Sequence, residues 1–417
     1  MNRILLILCA GLFTTLASAQ TTFGLVAHYS FDNDTDTVVV DETGNLSNNG
    51  FSNISVYDCG VRGNAIRFNG MGDEVILDGS AVKEAFGTED FTLSFYFKPL
   101  NSNQVTNMTI LSKRNDCSNN NALAVRYTPN DRFLNVLVSE NNLLSASFIT
   151  PLSQERCWYH VTIVRDGTNL LLYIDGVLVD TDAHPERIDL TSDNLPLLLG
   201  TSSCNATDGS YEGFLDEVRI YNRSLSKQEV KELFFRPDEI GNGFVDLGVE
   251  KDTILFLGNF METYITNTCA DQFSWSPLDG VQDETNPNTI LSPTETTTYY
   301  LAFTDLFGCT AVDSLLITVV DPADLECEAF LPNTFTPNGD GLNETFGIDN
   351  PFALPNFIAL SIYDRIGNEV FWTDNPTERW DGSYRSTKVN PGVYIYRVQY
   401  MCNGEEKVEA GSITIMR

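Results

Sequence analysis

Residues 158–180 read WYHVTIVRDGTNLLLYIDGVLVD and indicate paired β-strands. Asp175 and Gly176, between the runs LLLYI and VLV, suit the two-residue type I′ turn of a β-hairpin. Similar short runs rich in Val, Ile, Phe, Tyr and Thr alternate with Gly, Asn and Asp turns along the whole chain. Such a pattern predicts an all-β protein built from sandwiches.

One helix interrupts this pattern, in SLSKQEVKELFF at residues 224–235. Ser226 and Glu229 have the spacing of a capping box, and apolar residues follow at helical intervals. Arg236-Pro237-Asp238 then ends the helix, and a second boundary falls at Val320-Asp321-Pro322-Ala323-Asp324. The boundaries divide the chain into segments 20–236, 237–322 and 323–417.

The N-terminus, MNRILLILCAGLFTTLASAQ, has the apolar run and small-residue cleavage pattern of a secretory signal peptide at residues 1–19. Its removal leaves 24 basic and 57 acidic side chains, a formal net charge of −33, and eight cysteines. The acidity argues against nucleic acid as a partner, and the even cysteine number predicts disulfides. No later run is apolar enough for a membrane span.

The first segment resembles a known family on motifs that occur in order: LVAHYSFD (25–32), GNAIRFNG (63–70), DFTLSFYFKP (90–99), ILSKR (110–114), WYHVTIVRDGTNLLLYIDGVLV (158–179) and GFLDEVRIYNRSLSKQEVKELF (213–234). These are similar to the laminin-G-like, concanavalin A-like jelly roll and its closing helix. The resemblance implies a sandwich over 20–236 that binds glycans or proteins, although some relatives are glycoside hydrolases.

A hydrolase on this sandwich needs carboxylates that share one strand face. Glu212 and Asp216 are four residues apart in EGFLDEV, but Phe214 stands between them and breaks a three-carboxylate ladder. We therefore interpret Asp216 and Glu217 as structural. His160 alternates with apolar residues and is interpreted as a packed or hydrogen-bonded sheet residue, so no catalytic residue is predicted.

Two loops of this segment resemble the calcium loops of the pentraxin branch. ILSKRNDCSNNNALAVRY matches the first and LLLGTSSCNATDGSYEG the second, which places Asp116, Asn205 and Asp208 near ligand positions. Oxygen ligands of this kind suit calcium. Calcium is the implied cofactor, and the alternative is a plain Asn-rich loop.

Adjacent loops, as in pentraxins, also imply a Cys117–Cys204 disulfide, because each loop carries one cysteine. That pairing leaves Cys59 with Cys157. Four cysteines allow three connectivities, and the sequence does not choose among them.

The second segment resembles the immunoglobulin-like or PKD-like modules of secreted bacterial proteins, through FSWSPLDG, TYYLAF and SLLITVV. The resemblance implies a Cys269–Cys309 disulfide with Trp275 in the core. We predict a spacer that holds the first domain away from the C-terminal end, with a second binding module as the alternative.

The third segment contains FTPNGDGLNETF (335–346), a turn-rich stretch that lacks the ends of a phosphate loop or an EF-hand. LSIYDRIGNEVF, WDGSY, NPGVYIYRVQY and GSITIMR follow it. Together they resemble the gliding-motility-associated C-terminal sorting domain of type IX secretion. The resemblance implies a small β-sandwich recognised by the secretion translocon. We also predict a Cys327–Cys402 disulfide within this domain. A second candidate calcium site lies in the turn-rich stretch, at Asn338, Asp340 and Asn343.

These features predict a protein exported past the outer membrane, secreted or displayed on the cell surface. The leading hypothesis is non-catalytic adhesion to an extracellular glycan or surface protein through residues 20–236. The alternatives are a polysaccharide hydrolase or lyase on the same sandwich, and a structural component of a surface or matrix.

Overall fold

The computed structural model describes residues 21–54, 56–87, 90–100, 107–190, 195–204, 208–241, 252–338, 342–354, 356–385, 387–402 and 404–416. The predicted signal peptide therefore lies outside the described residues. The chain is all-β, as predicted. The described helices are two short α-helices and three 3₁₀ turns: Ser80–Glu84, Lys227–Leu233, Leu46–Asn48, Pro322–Asp324 and Pro351–Ala353.

The chain forms two compact units. The first unit contains the described residues 21–241 together with Glu262–Leu291 and Thr298–Leu315. The second contains Asp252–Met261, Ser292–Thr297 and the described residues from Leu316 onward. Most of the predicted second segment therefore belongs to the same unit as the predicted sandwich.

The first unit is built on two antiparallel sheets that face each other. The first sheet has the strand order Val177–Ala183, Asn169–Ile174, Tyr159–Asp166, Phe91–Pro99, Glu212–Tyr221, Asn64–Asn69 and Tyr57–Cys59, and Leu25–Tyr29 also pairs with Glu212–Tyr221. The second sheet has the order Ser145–Pro151, Phe133–Ser139, Ala122–Thr128, Met108–Lys113, Leu197–Leu199, Val75–Leu77, Gly50–Ser52 and Val38–Val39, and Gly209–Ser210 runs parallel to Met108–Lys113.

The strand Phe91–Pro99 shows how the first sheet divides the unit. Phe91, Leu93, Phe95 and Phe97 alternate along it and belong to the core shared with the second sheet. The intervening side chains point to the other face, yet Thr92, Ser94, Tyr96 and Lys98 are also buried. The outer face of this sheet is therefore covered.

The hairpin predicted at Asp175-Gly176 forms with a two-residue loop. Ile174 pairs with Val177 across it, and Asp175 and Gly176 have φ angles of +51° and +73°. Both angles lie in the left-handed region that a type I′ turn requires. Local turn chemistry thus sets the first two pairs of the hairpin, and a bulge then shifts the register by one residue, so that Leu172 pairs with Asp180.

The closing helix, Lys227–Leu233, begins at the predicted capping box. The Ser226 side chain accepts a hydrogen bond from the Glu229 backbone, and the Glu229 carboxylate accepts one from the Ser226 backbone. Glu229 also pairs with Arg223 at 2.6 Å. The hydrogen bonds from Arg223 and Ser226 lower the pKa of Glu229 to about 2.

Replacing Glu229 with glutamine is expected to destabilise the first unit by about 1 kcal/mol at pH 7, the size of a helix-cap interaction. The amide keeps an acceptor for the Ser226 backbone but loses the charge paired with Arg223. Because the folded pKa lies below the unfolded value of about 4.3, the charge stabilises the fold above that pH. Its contribution is lost as the pH falls towards about 2.

Urea unfolding at several pH values between 7 and 2 checks this, with the exposed Glu186→Gln as the control. The difference between wild type and Glu229→Gln should shrink on acidification. A difference that stays constant from pH 7 to 2 would contradict the assignment.

The outer face of the first sheet receives residues of the predicted second segment. Ala270–Ser276 pairs antiparallel with Thr297–Asp305, and a turn then leads into the strand Thr310–Val320. Ile240–Gly241 pairs with Tyr264–Ile265, and Met261–Glu262 and Ile290–Leu291 are two-residue strands. Trp275 is buried as expected, 3% exposed.

The turn at residues 305–309 docks around a buried lysine of the first sheet. The Lys98 Nζ lies 2.9 Å from Asp305 Oδ2, and the two side chains are 2% and 7% exposed. The same Nζ lies 4.4 Å from the ring centre of Phe214 and 5.3 Å from those of Trp158 and Phe307. Asp305 Oδ1 accepts the backbone N–H groups of Phe307 and Cys309, which holds the turn in place.

Two predicted disulfides are wrong. Instead of Cys59–Cys157 and Cys269–Cys309, the structure has Cys59–Cys269 and Cys157–Cys309, with Cα–Cα distances of 5.6 and 5.9 Å. Docking of the 305–309 turn brings Cys309 to Cys157 at the edge of the sandwich. Each bond therefore joins the sandwich to the second segment. The segment predicted to be a spacer is therefore bonded, over these residues, to the domain it follows.

The second unit contains the predicted C-terminal sandwich. Its five-stranded sheet has the order Thr334–Phe335, Glu405–Ile415, Gly392–Cys402, Asn356–Tyr363 and Glu369–Thr373, and Ser383–Tyr384 pairs with Thr387–Lys388. Thr253–Phe256 runs parallel to residues 317–320. Trp380 is 1% exposed in its core, and Cys327 is bonded to Cys402 with a Cα–Cα distance of 6.0 Å.

Candidate functional site

The two pentraxin-like loops lie side by side and are joined by a Cys117–Cys204 disulfide, with a Cα–Cα distance of 4.7 Å. Asp208 follows this bond and is buried, with its side chain 3% exposed. Its Oδ2 lies 3.3 Å from Nη1 of Arg114, and its Oδ1 lies 3.1 Å from Nε of Arg126. One carboxylate thus serves two arginines.

The predicted calcium ligands have different surroundings in the structure. Arg114 and Arg126 hold positive charge at the carboxylate of Asp208, where a dication would have to bind. Asp116 is exposed, and its Oδ1 accepts the Ser118 backbone N–H at 2.7 Å. Asn205, the third predicted ligand, lies outside the described residues. The structure therefore assigns Asp208 to an arginine network.

Of the carboxylates considered for hydrolysis, Asp216 and Glu217 are buried in the covered layer of the first sheet, and Glu212 is half-buried at the start of the same strand. Asp216 is 0% exposed, its Oδ2 accepts the Arg62 backbone N–H at 3.1 Å, and burial raises the pKa of Asp216 well above its ordinary value. Glu217 lies in a β-bulge with φ of +54° and contacts Arg219 and Nε2 of His28. Burial raises the pKa of Glu217, but these partners outweigh burial and leave it below its ordinary value.

His160 lies in the same covered layer. It is 1% exposed, its Nε2 lies 2.7 Å from the Ser94 hydroxyl, and its ring stacks on Phe234 at 5.8 Å. Burial, followed by the positive charge of Arg219, lowers the pKa of His160 to about 3. The imidazole is therefore neutral at physiological pH and has the packing role that its position in the strand suggested.

A cavity of about 230 Å³ lies beside the Cys157–Cys309 disulfide. Its lining includes Arg132 and Arg156 together with aromatic rings. The sequence did not identify this site, because the two arginines are 24 positions apart and line the same cavity only after folding. The available signal was the scarcity of basic side chains: in a chain with 57 acidic and 25 basic residues, two arginines in one cavity are unexpected unless they have a role.

A larger groove of about 750 Å³ lies in the second segment, lined by residues between Glu262 and Ile290. The exposed Tyr264 donates its hydroxyl to Glu262 at 2.9 Å, and Asp283 accepts hydrogen bonds from Thr285. These polar groups are already used in local turns. We therefore consider the smaller arginine-lined cavity the better ligand site.

The described parts of the stretch FTPNGDGLNETF, residues 335–338 and 342–346, lie close together in the second unit. The Thr336 N–H donates to the Asn343 carbonyl at 2.8 Å, and Phe335 lies 6.2 Å from Phe346 and 5.6 Å from Trp380. Asn338 and Asn343 are exposed, and Asp340 lies outside the described residues. In the described part of the chain, no cluster of three acidic, histidine or cysteine side chains is placed to hold a metal.

Two family models match the chain. Residues 69–231 match the laminin-G model described as the concanavalin A-like lectin/glucanases superfamily, and residues 329–415 match the CHU_C type IX secretion signal domain. The chain therefore carries a concanavalin A-like domain and a type IX secretion signal, which directs export to the cell surface or secretion. Within the described residues, no helix is long and apolar enough to span a bilayer. No curated protein matches the chain.

Solved structures with partial similarity include domain 4 of the extracellular GH43 arabinanase AbnA from Geobacillus stearothermophilus, at 23% identity, 51% coverage of this chain, 98% of that chain and a TM-score of 0.38. Trypanosoma rangeli sialidase matches at 17% identity, 51% and 33% coverage and 0.38. The CBM40 of Ruminococcus gnavus IT-sialidase matches at 15% identity, with 41% of this chain and 96% of that chain covered and a TM-score of 0.36.

Proposed function

We propose that this exported protein is a non-catalytic carbohydrate-binding protein, with recognition in the first unit and export through the C-terminal domain. Residues 69–231 match a superfamily that is named for both lectins and glucanases. The choice between binding and hydrolysis therefore rests on the side chains of this chain. The observation that carries the proposal is the covered carboxylate layer of the first sheet.

Glycoside hydrolysis needs two carboxyl groups on opposite sides of the scissile bond, with access for a sugar. Asp216 and Glu217 are 0% and 3% exposed, and Glu217 is engaged by a histidine and an arginine. A carboxylate held in this way stabilises the bulge of its own strand. The same layer lies under the closing helix, where the Tyr96 hydroxyl donates to the Phe235 carbonyl at 3.1 Å and lies 3.3 Å from the Leu233 carbonyl.

We further propose that binding does not depend on calcium at Asp208. A calcium ion usually takes six to eight oxygen ligands, whereas the carboxylate of Asp208 is shared between Arg114 and Arg126. A calcium ion there would take the carboxylate partner from the buried Arg114 and the half-buried Arg126, and removing one partner of a buried ion pair is costly.

The test is binding of the mature chain, residues 20–417, to a broad glycan panel in calcium and then in chelator, followed by an assay for released reducing ends. We expect binding that chelator leaves unchanged and no reducing ends. Binding lost in chelator would refute the calcium-independent mode.

Two results would favour the alternatives. Reducing ends that disappear in Glu212→Gln or Asp216→Asn would support a hydrolase. Self-association in sedimentation experiments, without affinity for any glycan, would support a structural matrix component. Sedimentation of the folded chain, without any added glycan, therefore belongs beside the binding assay.

A further inference from the structure

The arginine-lined cavity contains a guanidinium whose hydrogen-bonding capacity is incompletely used. Nη2 of Arg132 donates to the Tyr159 hydroxyl at 2.6 Å and to the Ser153 carbonyl at 3.2 Å. Its Nε is buried and lacks a hydrogen-bond partner among the described residues. No described carboxylate lies within ion-pair distance of Arg132. Since a buried donor without an acceptor is costly, an acceptor supplied by a ligand would stabilise this site.

A second cation lines the same cavity with weak protein partners. Nε of Arg156 is 3.6 Å from Asp175, and its Nη2 is 3.6 Å from Glu239. Both distances exceed the 2.7–3.2 Å typical of N–H···O hydrogen bonds. The Arg156 side chain is 35% exposed. Its guanidinium therefore keeps donors that a ligand entering from solvent can use.

The remaining lining suits a sugar ring. Tyr127, Tyr159 and Phe307 contribute aromatic surface to the cavity, and Asn130 contributes an exposed amide. Aromatic faces pack on apolar ring surfaces, while a few polar groups fix orientation. At about 230 Å³ the cavity is smaller than the roughly 300–1,000 Å³ typical of drug-sized ligands. It suits one sugar residue.

We propose that this cavity binds a carboxylate-bearing sugar residue, with the carboxylate between Arg132 and Arg156 and the ring against the aromatic side chains. This inference rests on the proposed carbohydrate-binding function and names its ligand class. Guanidinium groups match carboxylates through paired N–H···O hydrogen bonds. The net charge of −33 opposes a densely anionic polymer, whereas a single acidic residue feels mainly the cavity, because charges beyond about 8 Å are screened at physiological salt.

The test uses calorimetric titration of the mature chain with methyl β-glucuronide and methyl β-glucoside, which differ only by carboxylate against hydroxymethyl. We expect the glucuronide to bind about tenfold or more tightly than the glucoside. Arg132→Gln should remove that preference, and Arg156→Gln should weaken it. Arg187→Gln is the matched control, because Arg187 pairs with Asp90 and does not line the cavity.

Arg132 also holds Ser153 and Tyr159, so the melting temperature of each variant is measured first. If Arg132→Gln does not fold, the Arg156→Gln titration decides. Equal affinity for the two glycosides, or a glucuronide preference unchanged in the variants, would overturn the inference. Methyl β-glucoside 6-sulfate is titrated as a third ligand, and tighter binding of this sulfate than of the glucuronide would also overturn the inference. Binding of neutral glycans from the panel without any glucuronide preference overturns this inference alone and leaves the proposed function standing.

Discussion

Replacing Lys98 with methionine is expected to lower the free energy of unfolding of the first unit by about 3–5 kcal/mol, the usual cost of removing one partner from a buried ion pair. The variant leaves the carboxylate of Asp305 buried, with both side chains at most 7% exposed in the wild type. It also removes the cation from the faces of Trp158, Phe214 and Phe307.

A double-mutant cycle separates the pair from its surroundings. Asp305→Asn removes the charge but keeps an oxygen for the backbone N–H groups of Phe307 and Cys309. We expect Lys98→Met/Asp305→Asn to be more stable than either single variant, because no unpaired charge remains buried. Additive losses would show that the two charges do not stabilise each other.

Urea titrations followed by tryptophan fluorescence provide the measurement, with hydrogen exchange assigning the loss to the first unit. Lys83→Met is the control. Lys83 pairs with Asp78 at 2.9 Å, but the Asp78 side chain is 61% exposed. An exposed pair contributes only about 0–1 kcal/mol. A similar loss in both lysine variants would contradict the special role of Lys98.

Removing the Cys157–Cys309 bond by serine substitution at both positions is expected to cost about 2–5 kcal/mol, near the upper end because the bond closes 152 residues. Hydrogen exchange should rise in residues 298–315, whose turn the bond attaches to the sandwich. Cys117→Ser/Cys204→Ser is the matched control. That bond joins two loops of the sandwich, and its loss should leave exchange in residues 298–315 unchanged.

Disulfide mapping of the non-reduced protein tests the pairing directly. Peptides joined through Cys59–Cys269 and Cys157–Cys309 are expected. Peptides joined through Cys59–Cys157 and Cys269–Cys309 would instead support independent modules and a free spacer. The same digest should contain Cys327–Cys402 from the second unit.

The features that the sequence predicted correctly are those that local chemistry determines. The Asp175-Gly176 turn needs only two residues that tolerate positive φ, and the capping box needs only Ser226 and Glu229 three positions apart. The sandwich and the C-terminal domain were identified because their motifs recur in a fixed order, and both are matched by family models.

The features that the sequence missed depend on distant partners. Asp208 has the residue type of a calcium ligand, and only the fold shows that Arg114 and Arg126 reach it from neighbouring strands. The predicted pairings of Cys59 with Cys157 and of Cys269 with Cys309 both assumed that each segment forms disulfides only within itself. The docked turn at 305–309 made that assumption wrong, and it also created the wall of the cavity that contains Arg132.

The two disulfides that join the second segment to the sandwich can form only after the second segment has been exported. Cys59 and Cys157 enter the oxidising compartment long before their partners, which lie 210 and 152 residues later in the chain. Until Cys269 and Cys309 follow, the newly translocated sandwich carries two reactive thiols, which are exposed to mispairing with each other. We therefore expect maturation of this protein to be sensitive to the rate of thiol oxidation relative to chain translocation. Slow oxidation or efficient isomerisation should raise the yield of the correctly bonded form.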